Sequence, residues 1–186
     1  MQRAHAPESR ETKPEREEFR PIEAIRIILS AILIAFLITH FLVSSTVVEG
    51  TSMLDTLHDG DRLFVLKQGI GVSDLSRGDI IVFHAPDENR DYIKRVVAFP
   101  GEYVQIENGM VYINGKRLEE TYINADQTLT SGATDWLVPE GELFVLGDNR
   151  LEGASKDSRF FGTISEDAIV GRAAFRYFPF DRFGGI

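Results

Sequence analysis

Cysteine is absent from this 186-residue chain, and only one tryptophan and four histidines are present. Without cysteine there is no disulfide, no thiolate nucleophile and no Cys-based zinc or iron–sulfur site, although an oxidising compartment stays open to the protein. Any nucleophile is therefore something other than a thiol. Long uncharged runs are scarce as well: the stretch IILSAILIAFLITHFLVSSTVV, between Arg26 and Glu49, has 22 residues without formal charge, Gly or Pro. Positive charge is in deficit. The net charge is −9, and residues 49–186 carry fourteen Lys/Arg against twenty-three Asp/Glu, whereas residues 1–26 are balanced at six Lys/Arg and six Glu. So acidic a body argues against nucleic-acid binding. With 43% apolar residues, the length accommodates one membrane anchor and one compact domain.

The uncharged run is long enough for a helix to cross a bilayer core, and a transmembrane helix is expected over residues 25–48. A secretory signal is the alternative, but the run is long for one, and Ser45-Thr46-Val47 is a poor small-x-small cleavage pattern. Arg10, Lys13, Arg16, Arg20 and Arg26 precede the run, whereas only Arg62 and Lys67 follow closely. The positive-inside rule then makes the protein single-pass in the plasma (inner) membrane, with a cytoplasmic N-terminus and residues 49–186 extracytoplasmic. Residues 1–24, charged and poor in apolar groups, are expected to be a disordered tail.

From Arg62 onward, short apolar runs alternate with turn residues: LFVL (63–66), IIVF (80–83), YIKRVVAF (92–99), YVQI (103–106), MVYI (110–113), LFVL (143–146) and AAFRYF (173–178). These read as strands. Asn108-Gly109 and Asn114-Gly115 are two-residue turn signals that join Tyr103 to Leu118 in a meander of hairpins. Ser165, followed by Glu166-Asp167-Ala168, marks a short helix start. The fold class is thus mainly β, an antiparallel domain preceded by one transmembrane helix, with a smaller inserted hairpin and loop region at about 103–140. The polar stretch from Glu119 to Asp135 is expected to be a long surface loop.

Three constellations could carry chemistry. In the first, Gly50-Thr51-Ser52-Met53, a serine beside glycine is ordinarily part of a turn. Its place matters, however: four extended residues from Val48, at roughly 3.3 Å each, put the Ser52 hydroxyl within about 13 Å of the end of the uncharged run. The second is Lys94, placed with Arg95 in a β-branched and aromatic strand where Tyr92, Val96 and Ala98 share its side. Burying an ammonium is costly, so such a lysine pairs with a carboxylate, reaches water, or gives up its proton. An edge strand with both heads in solvent, or an Arg95–carboxylate pair, is the plain reading. A neutral Lys94 would be a base. The third is Gly147-Asp148-Asn149-Arg150 with Ser155-Lys156-Asp157-Ser158-Arg159, a turn and a local ion pair at the least, or the far side of a polar site. His58 and His84 keep a Ser-His-Asp arrangement with Ser52 open, although both sit near expected turns.

In this order the constellations resemble the motif boxes of type I signal peptidases. The family's Gly-x-Ser-Met box resembles Gly50 to Met53 with Thr56-Leu57 and Gly60-Asp61, and its Arg-Gly-Asp box resembles Arg77-Gly78-Asp79 to Phe83. Its lysine box resembles Tyr92 to Val97 with Pro100-Gly101. Its last box resembles Gly147 to Arg150, then Ser155, Asp157, Ser158, Arg159, Gly162 and Gly171-Arg172-Ala173. The resemblance implies Ser52 as nucleophile and Lys94 as general base, with Ser155 bonded to the lysine amine and Asp157 and Arg159 bracing that loop. It implies no metal and no cofactor, and secretory preproteins with small residues at the cut, met at a lipid bilayer, as partners.

Three departures stand out. Asp55 occupies a position where many members have proline, setting a negative charge near the site entrance. LEGA between Arg150 and Ser155 is two residues longer than usual. Gly50 stands where one branch has a serine oxyanion donor, leaving backbone N–H groups, including that of Ser52, to stabilise the oxyanion. Two other readings are a self-cleaving Ser/Lys domain like those of SOS repressors, and a silent membrane-tethered β module that binds envelope partners. The membrane run and the missing DNA-binding region disfavour the former, and intact Ser52 and Lys94 disfavour the latter.

Overall fold

The structure, a computed structural model, describes residues 21–37, 42–67 and 71–186. The chain forms two compact units, divided between Phe36 and Leu37. The first contains most of helix α1, Pro21–Leu37. Proline suits the first turn because its missing N–H has no intrahelical acceptor there, and Glu23 complements the positive end of the helix dipole. No residue of α1 is buried.

The expected span over 25–48 is not one helix. Val43–Val47 is instead strand β1, paired antiparallel with β2 (Arg62–Leu66) from Val43 opposite Leu66 to Val47 opposite Arg62. The sequence VSSTV explains the switch, because β-branched and hydroxyl residues favour strands over helix interiors. Residues 38–41, and residues 1–20 of the expected tail, lie outside the described residues. Among the described residues, no helix is long and apolar enough to cross a membrane.

The second unit is mainly β and wholly antiparallel in its pairings. Its remaining strands are β3 (Ile80–His84), β4 (Asp91–Ala98), β5 (Tyr103–Glu107), β6 (Met110–Ile113), β7 (Lys116–Arg117), β8 (Asp135–Leu137), β9 (Glu142–Leu146), β10 (Ile164–Ser165), β11 (Ile169–Phe178) and β12 (Gly184–Gly185). The larger sheet runs β1-β2-β11-β3-β4-β9-β10, with β12 on β11, and the smaller runs β7-β6-β5-β8. Both Asn-Gly turns work as expected: Asn108, Gly109, Asn114 and Gly115 all have positive φ, which a tight hairpin requires. Ser165 caps a short 3₁₀ turn, Glu166–Ala168, by accepting the N–H of Asp167.

β4 is a central strand, flanked by β3 and β9, so the edge-strand reading of YIKRVVAF does not hold. Tyr92 and Val96 pack with Ile81, Phe83, Leu143 and Val145 in one core cluster. A register shift against β9 between Val96 and Ala98 then breaks the alternation. Ala98 therefore joins Val97 and Phe144 in a second cluster that fastens the smaller sheet through Val104 and Val111, and it does not share the side of Lys94. The polar stretch 119–135 is more than a surface loop. Thr128 is 2% exposed, and the Glu120 side chain is buried beneath the loop after β9.

Candidate active site

Ser52 lies in the turn between β1 and β2, and the turn is set by its neighbours. Gly50 has φ +87°, a conformation that a side chain would strain, and its N–H donates to Asp59 Oδ1 at 2.7 Å. Met53 and Leu57 are fully buried against Val48, Leu63, Ile80 and Ala173. Two apolar side chains thus pin the segment from below, while Ser52, immediately before them, stays partly accessible.

Lys94 meets it from β4. Its Nζ donates to Ser52 Oγ at 2.9 Å and to the carbonyl of Ile93 at 2.8 Å, while the residue is 4% exposed. Among the described residues no carboxylate stands within ion-pair distance of this amine, so burial dominates and pulls its pKa from the usual lysine value down to about 8. Asp157 and Asp148 oppose that shift more weakly. Arg95 takes the opposite course and satisfies the plain reading offered for it. Its Nε and Nη2 grip Asp148 at 2.8 and 2.5 Å, its Nη1 donates to the Gly78 carbonyl, and its guanidinium lies 3.9 Å from the centre of the Tyr122 ring. The same Asp148 accepts from Thr56 Oγ1, tying the turn of Ser52 to β4.

The loop after β9 closes the far side. Asn149 donates its backbone N–H to the Ser52 carbonyl and its side-chain amide to the Thr51 carbonyl, each at 3.0 Å. Gly147 must be glycine: a β-carbon would fall on Ser155 Oγ and come within 2.5 Å of the Ser52 carbonyl oxygen. Asp157 caps helix α2 (Ser158–Phe161), accepts the Gly147 N–H at 3.0 Å, and holds Arg159 through both carboxylate oxygens. Arg159 in turn reaches the carbonyls of Leu129 and Arg150. The two bracing residues therefore meet each other and the back of the site.

Other expectations fare differently. Ser155 does not bond the lysine amine: the amine is directed to Ser52 and Ile93, and Ser155 Oγ is buried beside Gly147 with no hydrogen-bond partner among the described residues. Neither histidine hydrogen-bonds Ser52. His84 pairs with Asp91 on the surface, and His58 Nδ1 is buried without a partner. Asp55 is exposed and is not part of the cleft lining. The buried Arg150, which holds Gly147 O, Glu120 and Thr128, has a role that sequence reasoning missed. Its one signal was membership in the Gly-Asp-Asn-Arg box.

A cleft of about 520 Å³ runs alongside Ser52 and Lys94, bounded by residues 46–53 on one side and 90–94 on the other, with Ala154 and Lys156 at its margin. Residues 21–178 match the family described as "Signal peptidase, peptidase S26". The molecule is thus a serine endopeptidase in a mainly β framework. More particularly, the chain belongs to the S26 family of signal peptidases. It is similar to Signal peptidase I T of Bacillus subtilis (strain 168), at 43% identity over 165 residues, which is 84% of each chain. Signal peptidase IB of Staphylococcus aureus (strain COL) is 38% identical over 180 residues, covering 87% of this chain and 92% of that one. A crystal structure of a signal peptidase I from Enterococcus faecalis V583 is 34% identical, covers 53% of this chain and 95% of the other, and has a TM-score of 0.45.

Proposed function

We propose that the protein removes N-terminal signal peptides from secretory preproteins at the outer surface of the plasma membrane, with Ser52 as nucleophile and Lys94 as general base. The observation that carries this reading is the 2.9 Å contact between a buried lysine amine and a serine hydroxyl at the edge of an open cleft. A lysine with a pKa of about 8 is partly neutral at neutral pH, and its lone pair can accept the Ser52 proton. The freed Oγ attacks the scissile carbonyl carbon, and the resulting oxyanion needs donors. The Gly50 N–H is engaged by Asp59, whereas the Ser52 N–H has no acceptor among the described residues and serves as one donor. As the C–N bond breaks, the Lys94 ammonium gives its proton to the departing amine, and water then releases the acyl group from Ser52. Gly50 and Met53 shape the turn, while Asp157 and Arg159 brace the loop behind it. No step calls for a metal or cofactor.

The uncharged run and the Lys/Arg excess before it support an anchored protein with a cytoplasmic N-terminus and an extracytoplasmic body. Val47, Val48 and Ala154 give the cleft small apolar lining, which suits small residues in the substrate. The test is incubation with a detergent-solubilised preprotein and mass-spectrometric location of the cut, against a Ser52→Ala control. Cleavage surviving in that control would refute the assignment.

A further inference from the structure

We propose that Arg90 is a positioning residue for this reaction, a second cation seated on the Tyr92 ring that favours the uncharged form of the Lys94 amine. The proposal rests on the reading of Lys94 as the base. Arg90, Tyr92 and Lys94 alternate along β4 and its entry, so the three share one side of the strand, and all three line the cleft. The Arg90 guanidinium carbon and Lys94 Nζ each lie 5.2 Å from the centre of the Tyr92 ring. Two positive charges sharing one ring are no farther apart than about the Debye length at 0.1 M salt. The ring itself favours a cation at either place, and a guanidinium, which does not deprotonate, occupies its share permanently.

Charges on the surrounding elements leave room for this effect. Asp157, at the start of α2, is held by Arg159, and Asp148, after β9, is held by Arg95, so each carboxylate facing Lys94 is matched by an arginine. Arg90 is only partly neutralised. Glu88 receives Arg90 Nε at 2.7 Å on one oxygen and Lys156 Nζ at 2.6 Å on the other, with Asp87 helping Lys156 alone, while Glu49 in the same cleft lining acts on Arg90 through its charge without an ion-pair contact among the described residues. After burial, Arg90 is the foremost influence that pushes the Lys94 pKa downward, ahead of Arg159.

The experiment is the pH profile of kcat/KM for the full chain in detergent, on a short peptide substrate without charged side chains. Arg90→Lys should keep the wild-type midpoint. Arg90→Gln should move the midpoint to higher pH, lowering the acid limb about two- to tenfold while the alkaline plateau, where Lys94 is neutral anyway, stays unchanged. Arg90→Glu should move it further, Glu88→Gln should move it the other way, and about 1 M salt should bring wild type and Arg90→Gln together. A midpoint indifferent to Arg90→Gln, or a loss equal at every pH, overturns the role of Arg90 while leaving the dyad in place. A Lys94→Ala variant that keeps the wild-type profile instead removes the dyad reading, and the present proposal with it.

Discussion

Asn149 holds the peptide of Ser52 from behind, its backbone N–H donating to the Ser52 carbonyl at 3.0 Å while its side chain grips the carbonyl of Thr51. A serine on a turn would otherwise sample several positions of its hydroxyl. Here the loop after β9 fixes the turn, and Arg150, Glu120 and Thr128 fix that loop in turn. The contact between Ser52 and Lys94 thus depends on a chain of buried polar bonds reaching into the smaller sheet's long connection.

Asn149→Ala removes the side-chain bond but keeps the backbone one, so the turn should loosen without collapse. A fall in kcat of about tenfold, with KM little changed, is the expected outcome. Gly147→Ala should be far worse, since its β-carbon meets the Ser52 carbonyl. Steady-state kinetics on one preprotein for both variants checks the order, and a Gly147→Ala enzyme as active as wild type would contradict the packing described.

Ser52→Ala and Lys94→Ala should each abolish processing with the melting temperature near or above that of wild type. Removing a buried amine relieves a desolvation cost, and neither side chain anchors the core. Lys94→Arg should also be inactive, because arginine stays charged and is longer than the space beside Ser52. Substantial turnover by Lys94→Arg would exclude Lys94 as the base.

Only the neutral amine accepts a proton, so kcat/KM should rise with pH along one ionisation centred at about 8 and then level off. The sign follows from burial, which lowers the pKa and so brings activity in at a lower pH than an exposed lysine would allow. A midpoint near 6.5 that vanishes in His58→Ala would point to a histidine base instead.

Arg95 and Asp148 are a buried pair, with side chains 10% and 0% exposed. Asp148→Ala leaves a guanidinium inside the protein without its carboxylate and should cost about 3–5 kcal/mol. Replacing both, as Arg95→Met with Asp148→Leu, should recover part of that loss even though activity does not return. Thermal unfolding of the single and double variants measures the difference, and equal melting points would argue against the pair.

Much of this was legible in the residues themselves. Alternating apolar runs and two Asn-Gly turns are local signals, written in side-chain period and positive φ, and they survive whatever the chain packs against. Ser52 and Lys94 could be picked out because a hydroxyl after glycine and a lysine among β-branched residues are locally anomalous, and the order of the boxes made the family recognisable. What the sequence alone determined was therefore the strand-rich class and the chemically odd positions. Tertiary structure decided the rest. VSSTV turned from helix to strand because β2 offered it an edge, and β4 proved central because β9 and β3 both pair with it. It also decided that Arg95 finds Asp148 while Lys94 finds none, and that Ser155 faces Gly147 and not the amine. Those outcomes depend on distances between groups remote in sequence, and on how much water packing removes around each charge, which no local pattern of residues encodes.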